Sequence, residues 1–128
     1  MKQNKIIYPE LSYVVNGICY KSQNELGRFG REKQYGDLVE QKLQEKGLDH
    51  IREFVIADTG NTVDFFVEGK LFLELKAKRL ITKEDYYQVQ RYLQAADIRL
   101  GIIVNFRQRY IKPIRIVKIE TDNQDKYK

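Results

Sequence analysis

Asp64, Glu74 and Lys76 fall in the stretch TVDFFVEGKLFLELKAK, whose other strand positions are mostly apolar. A charge in such a strand is costly to hold unless something pairs with it. Glu74 and Lys76 are two apart, so on a strand they share one face, while Leu73 and Leu75 take the other. Asp64 sits in the preceding run, across a hairpin turned within VEGK. A two-residue loop, Glu68-Gly69, would set Asp64 opposite Leu73 and part the acids. A three-residue loop, Val67-Glu68-Gly69, with Gly69 in the left-handed position, makes Asp64 and Glu74 diagonal neighbours on one face. The second register is the predicted one.

Two carboxylates brought together this way raise each other's pKa unless a cation sits between them. A small cluster of hard oxygen ligands suits Mg²⁺ or Mn²⁺. An ion there can polarise a phosphoryl oxygen and lower the pKa of water. Lys76, on the same face, can orient that water or offset charge developing on the phosphate. The competing account is a solvated strand face carrying one Glu–Lys pair of little energetic value. Acid-x-Lys alone does not separate the two, and the second carboxylate at hairpin distance is what favours the metal site.

The elements that must position these residues follow from periodicity. Leu11, Val14, Val15, Ile18, Cys19 and Leu26 recur at helical spacing, which predicts a helix over Glu10–Leu26 that stops at Gly27. A second helix is predicted over Arg31–Lys46, with Tyr35, Leu38, Val39 and Leu43 inward and Gly47 as its stop. The period then changes. HIREFVIAD, TVDFFV and KLFLELKAK read as strands, and Thr82 opens a third helix to Ala96 with Asp85 as capping-box acid. LGIIVNF is continuous enough in apolar residues for the middle of a sheet, PIRIVKIE alternates like a strand near an edge, and TDNQDKYK is a polar tail. The order α-α-β-β-β-α-β-β is that of a single α/β domain, residues 1–120, followed by the tail at 121–128.

Composition sets the outer bounds. With 128 residues, 42% of them apolar and 32% charged, the chain has the balance of one globular domain with a core of its own. No apolar run reaches the length of a membrane span, and the N-terminal residues lack the pattern of a signal peptide. A single cysteine, Cys19, excludes an internal disulfide and fits a reducing compartment, so the expected location is cytoplasmic. Cys19 lies on the apolar face of the first helix and reads as a buried structural thiol. His50 is the only histidine and reads as an exposed loop residue, which argues against histidine-rich zinc sites and HNH-type nucleases. Lys and Arg total 23 against 18 acids, a net +5 that favours a polyanionic partner without demanding one.

This order of elements, with VDFFVEGKLFLELKAK at its centre, resembles the PD-(D/E)xK nuclease superfamily and its restriction-endonuclease-like fold. More closely, it resembles the bacterial GxxExxY family. The resemblance runs from about Ile6 to Ile119 and rests on NELGRFGREKQYGDLVEQKL, on Asp64 with LELKA, on QVQRYL, and on LGIIVNF followed by a basic strand. It implies a catalytic set of Glu32, Asp64, Glu74, Lys76 and Gln88, with Tyr35 as the tyrosine of ExxY. It also implies Mg²⁺ (or Mn²⁺) held by Asp64, Glu74 and the Leu75 carbonyl, with Glu32 as a further ligand directly or through water. Gln88 and Tyr92 share a helix face, with Arg91 beside them. The chain departs from the pattern at three positions. Phe29 stands at the glycine that names the family, Val63 precedes the motif aspartate, and Asn24 replaces a frequent histidine.

In such a fold Arg28, Arg31 and Lys33 open the second helix near Glu32, while Lys78, Arg79 and Lys83 follow the ExK strand. Both groups then flank the acids and are positioned to bind phosphates, as are Arg91 and Tyr92. Arg107, Arg109, Lys112 and Arg115 add a third basic group, and Tyr86, Tyr87, Tyr92 and Tyr110 are either stacking or packing residues. The expected function is a metal-dependent nuclease acting on nucleic acid, DNA ahead of RNA. A homodimer, or a helicase or other nucleic-acid-processing partner, is what the resemblance implies for company. Two rivals remain: a non-catalytic nucleic-acid-binding or protein-interaction module that keeps the fold, and a purely structural oligomer.

Overall fold

Apolar residues at helical spacing in the first part of the chain, and at strand spacing after it, fold onto one sheet in a computed structural model that describes residues 6–120. The elements are α1 (Pro9–Leu26), α2 (Glu32–Glu45), β1 (His50–Ile56), β2 (Asn61–Val67), β3 (Leu71–Lys76), α3 (Lys83–Ala96), β4 (Leu100–Asn105) and β5 (Ile114–Val117). This is the order the periodicity predicts. β5 is shorter than expected, and the tail expected at 121–128 lies outside the described residues.

The sheet runs β1-β2-β3-β4-β5, with β3 and β4 parallel and every other pair antiparallel. Continuous apolar sequence places β4 inside the sheet, buried at every residue, and alternation places β5 at the edge. α1 and α2 cover one face through Val15, Ile18, Cys19, Tyr35, Val39 and Leu43, packed on Phe65, Leu73 and Leu75. α3 covers the other face through Val89, Tyr92 and Leu93, packed on Phe72 and Ile103. A Cβ at Gly101 would come within 2.7 Å of Val89 Cγ1, so the missing side chain is what lets α3 lie close on β4. Cys19 is wholly buried, and burial pushes its thiol up to about 12, consistent with a packing role.

The hairpin between β2 and β3 differs from the predicted one by a single step. Val67 is fully buried and stays in the strand, paired with Leu71, so the loop is Glu68-Gly69-Lys70. Glu68 and Gly69 both take left-handed backbone, φ 55 and 62. Moving the loop by one residue changes the register by two and keeps its parity. From Phe65↔Leu73 the register then carries Asp64 directly opposite Glu74, where a diagonal relation was expected. His50 also departs from expectation. It is the first residue of β1, with its imidazole held by the Leu48 carbonyl at 3.0 Å and Glu40 at 3.2 Å.

Candidate active site

The β2–β3 ladder stops at Phe65↔Leu73, one step short of the two acids, and side chains replace the missing backbone bonds. The Asp64 N–H donates to Glu74 Oε1 at 3.1 Å, and the Leu75 N–H donates to Asp64 Oδ2 at 2.7 Å. On the other edge of β2 the register passes from Arg52↔Phe65 to Phe54↔Val63, skipping the Glu53–Asp64 step. Glu53 sits there in left-handed backbone, φ 53. The alternation of faces breaks at the same place. Phe65 packs with the α1–α2 side, whereas Val63 and Phe54 pack with the α3 side. Such local distortions re-aim a side chain, and here they turn Asp64 into a cleft of about 460 Å³ lined also by Glu32, Glu53 and Leu75.

Glu74 is 7% exposed, and its carboxyl is pushed up to about 8, by burial first and by the Asp64 charge second. The Asp64 N–H and Lys76 act in the opposite direction without restoring the ordinary value. Lys76 Nζ lies 3.8 Å from Glu74 Oε2 and 3.8 Å from Asp85 Oδ1. Asp85 is held low in spite of its burial, because the Lys78 ammonium at 2.6 Å and the Thr82 N–H and hydroxyl all favour its charged form. Asn105 closes this end of the site. Its side chain accepts from the Lys78 N–H at 3.1 Å and donates to the Lys78 carbonyl at 2.7 Å.

The other expected residues differ in placement and exposure. Glu32, the first residue of α2, is exposed and lines the cleft beside Asp64. Tyr35 is buried rather than facing the cleft. Its hydroxyl accepts from the Gly30 N–H at 3.0 Å and donates to the Gly27 carbonyl, and its ring stacks on Phe106 at 4.1 Å. Gln88 is half-buried on α3, one turn before Tyr92. Arg28, Arg31, Lys33, Arg79, Lys83 and Arg91 are exposed, whereas Lys78 is engaged by Asp85. Tyr92 needs correction as a nucleic-acid contact. It is 6% exposed in the α3-side core, and burial followed by the nearby Glu74 charge pushes its phenol up.

Two residues now belong to the site that the sequence pattern did not single out for it. Asp85 carries a capping-box signal, and only the placement of α3 over β3 brings it to Lys76. Glu53 lies on an alternating edge strand, and nothing local marks its left-handed backbone.

The model of a protein family, the PD-(D/E)XK nuclease superfamily, matches residues 9–117. The chain belongs to that superfamily. No curated protein and no solved structure matches it significantly. Five strands with three flanking helices in this order make the restriction-endonuclease-like fold of a PD-(D/E)XK nuclease, and no helix among the described residues is long and apolar enough to cross a membrane.

PD-(D/E)XK nucleases generally use divalent ions, and the donor set of this one fits such an ion. Asp64 Oδ2 and Glu74 Oε1 each accept one backbone N–H, which leaves the second oxygen of each acid without a backbone partner, and the burial of Glu74 beside the Asp64 charge favours a neutralising cation. Among the described residues no three His, Cys, Asp or Glu side chains converge into a complete cage.

Proposed function

We propose that this chain is a divalent-metal-dependent nuclease of the GxxExxY type that hydrolyses phosphodiester bonds, in DNA ahead of RNA. The observation that carries the reading is the buried Glu74 beside the half-buried Asp64, with Lys76 alongside. Two acids sharing a low-dielectric site, one pushed up to about 8, form an arrangement that gains most from a doubly charged ion. Asp64, Glu74 and the Leu75 carbonyl would hold Mg²⁺ or Mn²⁺, with Glu32, across the cleft from Asp64, reaching it through water. The ion, when bound, supplies charge stabilisation to a phosphoryl oxygen and acidifies water.

The protein's own residues do the rest. Lys76 is placed between Glu74 and Asp85, and its ammonium at 3.8 Å from each acid keeps N–H donors for a water or a phosphoryl oxygen. Gln88, from the helix face above β3, would orient water. The exposed cations Arg28, Arg31, Lys33, Arg79, Lys83 and Arg91 would bind backbone phosphates. The test is a cleavage assay on labelled single- and double-stranded DNA and RNA with Mg²⁺, with Mn²⁺ and with chelator, beside Glu74→Gln. Cutting that needs the ion and vanishes in the variant is the expected result. A folded wild type that cuts none of these substrates would overturn the reading.

A further inference from the structure

Phe29 stands 73% exposed in the loop between α1 and α2, three residues before Glu32. The Arg28 guanidinium carbon lies 4.8 Å from its ring centroid and that of Arg107 lies 5.6 Å away. The loop that presents this ring is tightly held. Tyr35 bridges Gly27 and Gly30 through its hydroxyl, and Arg107 Nε donates to the Arg28 carbonyl at 3.0 Å. A Cβ at Gly30 would fall 2.6 Å from Leu26 Cδ2 and 3.1 Å from Tyr35 Cζ, so the turn packs closely on both side chains. Phe29 belongs to neither core cluster. A tightly held loop therefore displays a large apolar ring that lies outside both cores and touches only two guanidiniums among the contacts described. Nearby in sequence to Arg107, Tyr110 is 72% exposed with the Arg109 guanidinium 5.3 Å from its centroid.

The ion pairs among the described residues leave out Arg28, Arg107 and Arg109. Rings that stay largely exposed although guanidiniums lie over them match one ligand chemistry, a base that stacks on ring or guanidinium and a phosphate to pair. An apolar protein surface would cover the rings and leave the cations unmatched, and an acidic peptide would do the reverse. A continuous duplex keeps its base faces against each other, so only an unpaired base has one to offer.

We infer that the α1–α2 loop and the segment after β4 form a stacking platform for a single-stranded nucleic-acid segment at the rim of the cleft, with Phe29 as its principal ring. The inference deepens the nuclease reading and rests on it for the class of substrate. Phe29 binds a base, Arg28 and Arg107 bind the flanking phosphates, and Tyr110 with Arg109 extends the track.

The test uses the full chain in chelator, where binding is read without cleavage. The probes are a short single-stranded oligonucleotide carrying 2-aminopurine and a blunt two-strand duplex of matching sequence. Wild type is expected to prefer the single strand and to quench the 2-aminopurine. Phe29→Ala should weaken single-strand binding about tenfold and lose the quench, with an unchanged salt slope. Phe29→Tyr should keep both, and Arg107→Ala should reduce the salt slope by about 0.7. Phe29→Ala with wild-type single-strand affinity, or a wild type that prefers the duplex, overturns the platform. Either result leaves metal-dependent cutting to be judged by its own assay, and a protein that stacks bases but never cuts would fail only as a nuclease.

Discussion

Glu74 and Asp85 are both 7% exposed, and each has an oxygen 3.8 Å from the ammonium of Lys76. Their chemistry diverges all the same. At the start of α3, Asp85 has Lys78 at 2.6 Å and the N–H and hydroxyl of Thr82, so its charge is satisfied within the fold. In the middle of β3, Glu74 has one N–H donor, the same distant lysine, and a second carboxylate. Burial alone therefore does not mark the candidate functional acid. What marks it is burial with too few partners, and the residue left wanting is the one able to take a ligand from outside.

The most forceful way to break this comparison is to neutralise each acid in turn. Glu74→Gln is expected to lower metal-dependent cleavage by about 10³-fold or more. In chelator at pH 8 it should leave the melting temperature equal or higher, since a strained charge is removed. Asp85→Asn should do the opposite and cost about 3 kcal/mol by urea titration, because it strips the partner from two lysines and weakens a cap. A Glu74→Gln protein that is strongly destabilised would mean that this acid too is structural.

Acidity sharpens the contrast next. The Glu74 carboxyl favours its proton more in the folded chain than in the unfolded one. That contribution to stability is fully present below the ordinary value of 4.5 and is lost as pH rises towards about 8. The metal-free protein should accordingly melt at lower temperature as pH climbs through this window. Asp85, held low, contributes stability above its ordinary value of 3.8 and loses it as pH falls through its lower folded value. Saturating Mg²⁺ should flatten the alkaline decline in wild type and do nothing for Asp64→Asn. Calorimetric melting curves at several pH values, with Mg²⁺ and with chelator, would show whether that slope exists. The smallest expected effect comes from Thr82→Ala, which removes one hydroxyl from Asp85 and should cost about 1 kcal/mol with cleavage largely kept.

Much of this architecture can be read directly from the chain. Helical spacing in α1 and α2, the all-apolar run of β4 and the Thr82–Asp85 box each carry a local signal, and local signals predict elements well. The acids were legible as a pair because hairpin parity survives a one-residue error in the loop. Their direct opposition was not, because that depends on whether Val67 belongs to strand or turn, which its burial under the helices decides. Tyr92 misleads for a similar reason. Helical spacing gives the face it shares with Gln88, but not that this far along α3 the face has already turned into the core. The left-handed backbone of Glu53 and the joining of Asp85 to Lys76 arise only when separate elements meet, and no window of sequence contains them.

The side chain of Gln23 has a consequence for how the protein is made. It donates to the carbonyls of Phe106 and Gln108, 83 and 85 residues further along, and Tyr35 lies on the ring of Phe106 close by. β3 likewise needs β4 to close its second edge. Contacts of such sequence separation form late, so a chain still emerging from the ribosome lacks both the rim and the backing of its acids. Synthesis itself would keep the candidate centre unassembled until β4 and the segment after it have been made.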